Sequence, residues 1–275
     1  MFRKLKIVST VAIALLCGLR HSQAAIVYDS AGFEGGGSPS RFTTGNLEGQ
    51  DVTAGPWTVD NNVSTATVQT AVVQAGLQAV RVDRAASVNA DQRWSVFKPT
   101  PPTLRYLTVS WDENVTRNTT TGVIHGPLFG VEAYDDAGGA TVPLIGSSYV
   151  DATTGTLFYQ ASTTGNLTST GSSVTFGKWN HFDLQADFTT GMYQLFLNGS
   201  QVASDGFVDS GISGFTDAPL STVAYPDNVT ANLAASGTAY FDNYVVATSA
   251  ATVPEPAVLG LFSMGIMILA SRRII

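Results

Sequence analysis

Glu132-Ala133-Tyr134-Asp135-Asp136-Ala137 sets three carboxylates within five residues near the middle of the chain. Cutting a glycosidic bond with retention needs a nucleophile and an acid on either side of it, about 5 Å apart. Acids carried by one strand must alternate to share a face. These do not alternate, and Asp135-Asp136-Ala137-Gly138-Gly139 has turn chemistry, so the stretch reads as a solvated hairpin end with no catalytic role. The two histidines beyond the leading segment, His125 and His181, lack His-x-x-x-His or any similar ligand spacing and read as strand or loop residues. No Gly-x-Ser-x-Gly elbow marks a serine nucleophile. The single cysteine, Cys17, lies in the leading apolar run, so the remainder has no disulfide framework, thiolate metal site or cysteine nucleophile.

Sugar binding asks for exposed aromatic faces with amides or carboxylates beside them. Trp57, Trp94, Trp111, Trp179, Tyr149 and Tyr159 are available, but β-sandwiches bury Trp readily and each reads first as core. Charge narrows the partners. Of 14 basic residues six sit in the terminal segments, and of 21 acidic ones only Glu255 does, which leaves 8 against 20 and a core near −12. Such a surface argues against nucleic acid and anionic lipid, both of which are bound through clustered Lys and Arg.

The elements that must position these groups are strands. In His181-Phe182-Asp183-Leu184-Gln185-Ala186-Asp187-Phe188 strict alternation predicts one buried and one wet face. Thr189-Thr190-Gly191 and Asn198-Gly199 then turn the chain twice, which makes 179–203 a three-stranded meander. Further strands are expected over 66–74, 77–83, 93–98, 106–113, 128–134, 147–151, 157–160 and 239–247. Ten or more short strands between Gly, Asn and Asp turns indicate an all-β antiparallel sandwich, with a closed barrel as the second reading.

Lys178-Trp179-Asn180-His181-Phe182-Asp183-Leu184 followed by Tyr193-Gln194-Leu195-Phe196-Leu197-Asn198-Gly199 resembles the meander of laminin-G-like and concanavalin-like domains. The resemblance implies a two-sheet jelly-roll sandwich over 25–250, and it says little about ligand because the superfold hosts lectins, hydrolases and adhesive modules. Phe33-Glu34 and Tyr240-Phe241-Asp242-Asn243-Tyr244 resemble the pieces of carbohydrate-binding jelly rolls that hold a structural Ca²⁺ between the first and last strands, which makes Glu34 and Asp242 the candidate metal ligands. No other cofactor is expected.

Residues 1–24 read as a secretory signal helix. Arg3, Lys4 and Lys6 form its positive region, Ile7 to Leu19 its apolar run, and Ser22-Gln23-Ala24 a small-residue site cut after Ala24. At the other end, Ala257 to Ala270 carries no charge and one polar side chain, Ser263. As a helix it reaches roughly 21 Å against a hydrocarbon core of ~30 Å, a short transmembrane helix over 257–270. Val253-Pro254-Glu255-Pro256, that helix and Arg272-Arg273 together resemble the PEP-CTERM sorting signal over 251–275. The resemblance implies transient inner-membrane anchorage and removal of the tail by an exosortase-like protease, with cell-surface or matrix delivery. The functional expectation is an exported, non-enzymatic surface or extracellular-matrix protein, structural or adhesive, with extracellular polysaccharide as a candidate partner. The contrasting expectation is a secreted polysaccharide-active glycoside hydrolase or lyase on a concanavalin-like fold.

Overall fold

The computed structural model describes residues 25–248 apart from 37–39, 53–54, 61–62, 88–90, 101–103, 121, 124 and 137–141. The expected signal helix, the tail helix and the processing residues Ala24, Val253, Pro254, Glu255, Pro256, Arg272 and Arg273 lie outside the described residues. The strands are β1 (Ala25–Asp29), β2 (Gly45–Asn46), β3 (Thr58–Asp60), β4 (Thr65–Gln69), β5 (Ala79–Arg84), β6 (Asp91–Ser95), β7 (Tyr106–Val115) and β8 (Leu128–Tyr134). They continue as β9 (Leu144–Asp151), β10 (Thr156–Gln160), β11 (Leu167–Ser173), β12 (Asn180–Asp187), β13 (Met192–Leu197), β14 (Ser200–Gly206), β15 (Leu220–Val223) and β16 (Gly237–Thr248). One short helix, α1 (Thr230–Leu233), precedes β16.

The strands form two antiparallel sheets. A nine-stranded sheet runs β14-β13-β12-β7-β16-β5-β4-β2, with β1 paired to the far part of β16, and a seven-stranded sheet runs β11-β10-β9-β8-β15-β6-β3. The inner faces meet in one apolar core that holds Trp57, Trp94 and Trp111, each almost fully buried. The three therefore serve packing, whereas Trp179 is only half-buried.

The meander follows its alternation. Phe182, Leu184 and Ala186 point into the core, Phe182 stacks on Trp111 with ring centroids 5.4 Å apart, and His181 and Asp183 face outward. The turn between β13 and β14 places Asn198 and Gly199 at φ 51° and 78°, the left-handed pair that a two-residue hairpin requires. Between the sheets, Gly146 of β9 leaves room for Tyr193 of β13, because a Cβ there would sit 2.7 Å from the ring.

Candidate active site

The site is built on the face of the seven-stranded sheet that looks away from the core. Pairing fixes its rows: Tyr149 lies opposite Gly130, Gly130 opposite Ser221, Ser221 opposite Arg93, and Arg93 opposite Asp60. Neighbouring positions Val131, Leu220 and Trp94 point the other way, into the core. In β8, Leu-Phe-Gly-Val-Glu-Ala-Tyr sends Phe129, Val131 and Ala133 inward and Glu132 and Tyr134 outward by the two-residue period alone.

Glu132 is the centre of this face and is 2% exposed. Its Oε2 accepts from Arg93 Nε at 2.5 Å and from Ser221 Oγ at 2.6 Å. Its Oε1 accepts from Arg93 Nη2 at 3.0 Å and from the Tyr149 hydroxyl at 2.5 Å. Arg93 also reaches Asp91 at 3.1 Å and lies over the Tyr134 ring, its Cζ 5.8 Å from the centroid. Four donors on two oxygens leave Glu132 little capacity to attack anything. It acts as a brace that fixes the directions of Arg93 and Tyr149.

Electrostatics separates the acids around it. Burial raises the Glu132 carboxyl, but the charge and hydrogen bonds of Arg93, with those of Ser221 and Tyr149, outweigh it and hold the group below the ordinary carboxylate range. Asp217 moves the other way: burial lifts it, hydrogen bonds from Thr216 and Ser95 resist, and the charges of Asp136 and Glu132 add to the lift. Its backbone pairs with that of Tyr134 at the end of β8. Burial and then the Glu132 charge also raise the Tyr134 and Tyr149 hydroxyls, which stay protonated. The two carboxyls are thus shifted in opposite directions, and the raised one, Asp217, holds its proton to higher pH than an ordinary aspartate.

The strand ends at Tyr134, as expected over 128–134, but Glu132 and Asp135 are buried, which corrects the reading of this stretch as solvated. Asp135 accepts the N–H groups of Ser213 at 2.7 Å and Gly214 at 2.9 Å. Arg93, Ser221 and Asp217 went unassigned in the sequence because they lie 39 and 89 residues from Glu132, or in a loop. The outward pair Glu132 and Tyr134 was readable from the alternation of β8.

The other candidates fall elsewhere. His125 Nδ1 lies 2.8 Å from Asp151 Oδ2 at one end of the same face, and His181 Nδ1 lies 2.9 Å from Asp112 on the outer face of the nine-stranded sheet. Glu34 and Asp242 meet at the loop before β5. Glu34 Oε1 accepts the N–H groups of Leu77 at 2.6 Å and Gln78 at 3.0 Å, and Asp242 Oδ2 accepts those of Gln74 at 2.9 Å and Ala75 at 3.1 Å. A bulge in β16, with Asn243 at φ 50°, turns Asp242 and Asn243 outward together. Among the described residues no further carboxylate or imidazole joins the pair to complete a group of three.

No family model and no curated protein matches this chain. Solved structures share its fold. A sialidase superposes with a TM-score of 0.51 at 9% identity over 71% of this chain, which spans only 17% of that protein. An endo-beta-1,4-glucuronan lyase from the fungus Trichoderma reesei gives 0.50 at 12% identity over 75% of this chain and 94% of its own. Alginate lyase Aly36B gives 0.50 at 14% identity over 74% and 92%. These likenesses place the chain on a sandwich that carries carbohydrate-processing enzymes. They overturn the expectation of a non-enzymatic structural or adhesive protein, which had rested on the two terminal sorting signals, the acidic cysteine-free core and the missing catalytic dyad. Here the acids come from different strands and loops.

Proposed function

We propose that this chain is a carbohydrate-active enzyme of the jelly-roll class that cleaves polysaccharide on the outer face of its seven-stranded sheet. The carrying observation is the divergent carboxyl pair beside a braced Arg93, with Glu132 lowered by that arginine and Asp217 raised by burial. Asp217 gives its proton to the leaving glycosidic oxygen as the bond to the anomeric carbon breaks. Water forms the new bond at that carbon and gives up a proton to the Asp217 carboxylate. Arg93 and Tyr134 bind sugar hydroxyls, and Glu132 is their positioning residue. The shared fold with lyases and a sialidase supports the reading.

The test is incubation of the protein with neutral and uronate polysaccharides, reading both new reducing ends and the ultraviolet absorbance of unsaturated products. D217N is expected to lower turnover by about 10²–10⁴-fold, the usual worth of a positioned acid. Equal turnover by D217N and wild type would refute the assignment, and absence of product from every polysaccharide would refute the enzymatic reading.

The proposed setting is export through the signal segment, with the PEP-CTERM-like tail recognised by an exosortase-like protease. Support comes from the order Pro-Glu-Pro, apolar run, Arg pair. A mature protein that keeps Arg272 and Arg273 by mass spectrometry would contradict that processing. A structural Ca²⁺ at Glu34 and Asp242 is proposed on their convergence at one loop. Calcium is expected to raise the melting temperature and a chelator to lower it, and identical melts would refute it.

A further inference from the structure

The far end of the same face carries a second cluster, joined to the first through Tyr149. Leu128, Tyr149 and Phe158 form a small buried apolar group apart from the main core, packed by Leu167, Val223 and Tyr225. Two half-buried rings lie here, His125 and Tyr225, with centroids 5.9 Å apart and planes at 40°. Asp151, fully buried, already accepts the N–H groups of Gly126 and Thr153 and the Thr154 hydroxyl, each at 2.8 Å. A carboxylate in that setting takes His125 Nδ1 as one more donor at 2.8 Å, which makes Nε2 the ring's remaining polar atom. The Tyr225 ring packs on Phe158 with centroids 6.0 Å apart, and its hydroxyl donates to the Leu167 carbonyl at 3.5 Å. Both rings are therefore positioned before a ligand arrives, and a ligand that lies on them forfeits little ordering entropy.

We propose that His125 and Tyr225 form a glycan subsite for one uncharged hexose unit, with a C–H face of the sugar on the Tyr225 ring and a hydroxyl donating to His125 Nε2. The inference rests on the reading of this face as the polysaccharide surface, and adds where the chain docks and which class it belongs to. The charge pattern selects the class. Strand residues facing this side include four acids, Asp60, Asp91, Glu132 and Asp151, against one cation, Arg93, which Glu132 and Asp91 already hold. A polyuronate meets like charge here, while a neutral chain meets none. Leu128, in the row of Asp151, is four strand residues from Glu132, roughly 13 Å at ~3.3 Å per residue, so a docked chain extends from the rings toward the divergent carboxyls.

Affinity electrophoresis of the purified protein through gels cast with a soluble neutral β-glucan, a neutral mannan or alginate tests this. Retardation is expected in a neutral gel and not in alginate. Y225A and H125A should each weaken it about tenfold in protein that a cooperative thermal melt shows to be folded, while Y225F, which keeps the ring, binds like wild type. Retardation by alginate alone, by no neutral gel, or equally for Y225A, H125A and wild type would overturn the proposal. The two readings separate cleanly. D217N-sensitive product release that Y225A leaves untouched defeats the subsite alone, and ring-dependent retention without product defeats the enzymatic reading alone.

Discussion

Single carboxyls in this protein have sharply different environments, and their titration follows. Glu113 points into the core, where Trp111 Nε1 donates to its Oε2 at 3.1 Å and its Oε1 has no partner among the described residues. Burial holds the group well above the ordinary range despite that hydrogen bond, so the folded state keeps its proton. As pH rises past the ordinary carboxylate range the unfolded chain ionises first, and the stability present at low pH is lost. E113Q removes this term. Denaturant titration should find it more stable than wild type at neutral pH and equal to it at about pH 4; equal stability throughout would place an ionised Glu113 in the core. Glu132 has the opposite sign, since Arg93 lowers it, and its contribution is lost as pH falls. E132A leaves the Arg93 charge, 22% exposed at its side chain, without its main partner. It should cost roughly 3 kcal/mol in the same titration, near the lower bound for breaking a buried pair. Asp217 must be protonated to act, so turnover is expected to fall as pH rises through its raised pKa, and a pH profile without that alkaline limb would contradict the role.

At the scale of elements, Gly146 and Tyr193 meet across the sandwich, while Phe182 and Trp111 stack between neighbouring strands of one sheet. G146A should cost about 1–3 kcal/mol by thermal melting, because the new methyl group has only the Tyr193 ring to displace. F182A empties the stack on Trp111 and should cost about 3–5 kcal/mol. Strands that alternate a buried with a wet face were legible in the sequence, and β12, β13 and β14 with their Asn198-Gly199 turn follow it closely. β11 was not, since Leu-Thr-Ser-Thr-Gly-Ser-Ser has one apolar residue and pairs at the sheet edge, where burial does not write a pattern. β15 has four residues and no turn chemistry of its own, yet it sits between β8 and β6 and supplies Ser221. The candidate site was half legible for the same reason. Glu132 and Tyr134 share a face by local period, whereas their meeting with Arg93 and Ser221 depends on strand order, which no local pattern encodes.

The sandwich over residues 25–248 is acidic, has no cysteine and relies on burial, and it spends charge on a face its core does not need. The outer face of the nine-stranded sheet is the natural comparison. There His181 and Asp183 lie 3.4 Å apart and Ser110 donates to Asp183, so it too carries acids in a hydrogen-bonded row. The same chemical change made on each face therefore separates a site from a surface. Turnover of polysaccharide by wild type, D217N and D183N, with melting temperature as the fold control, is the decisive comparison. The account predicts that D217N loses activity by about 100-fold or more while D183N stays near wild type. Loss confined to D183N, or no loss in either protein, would contradict it.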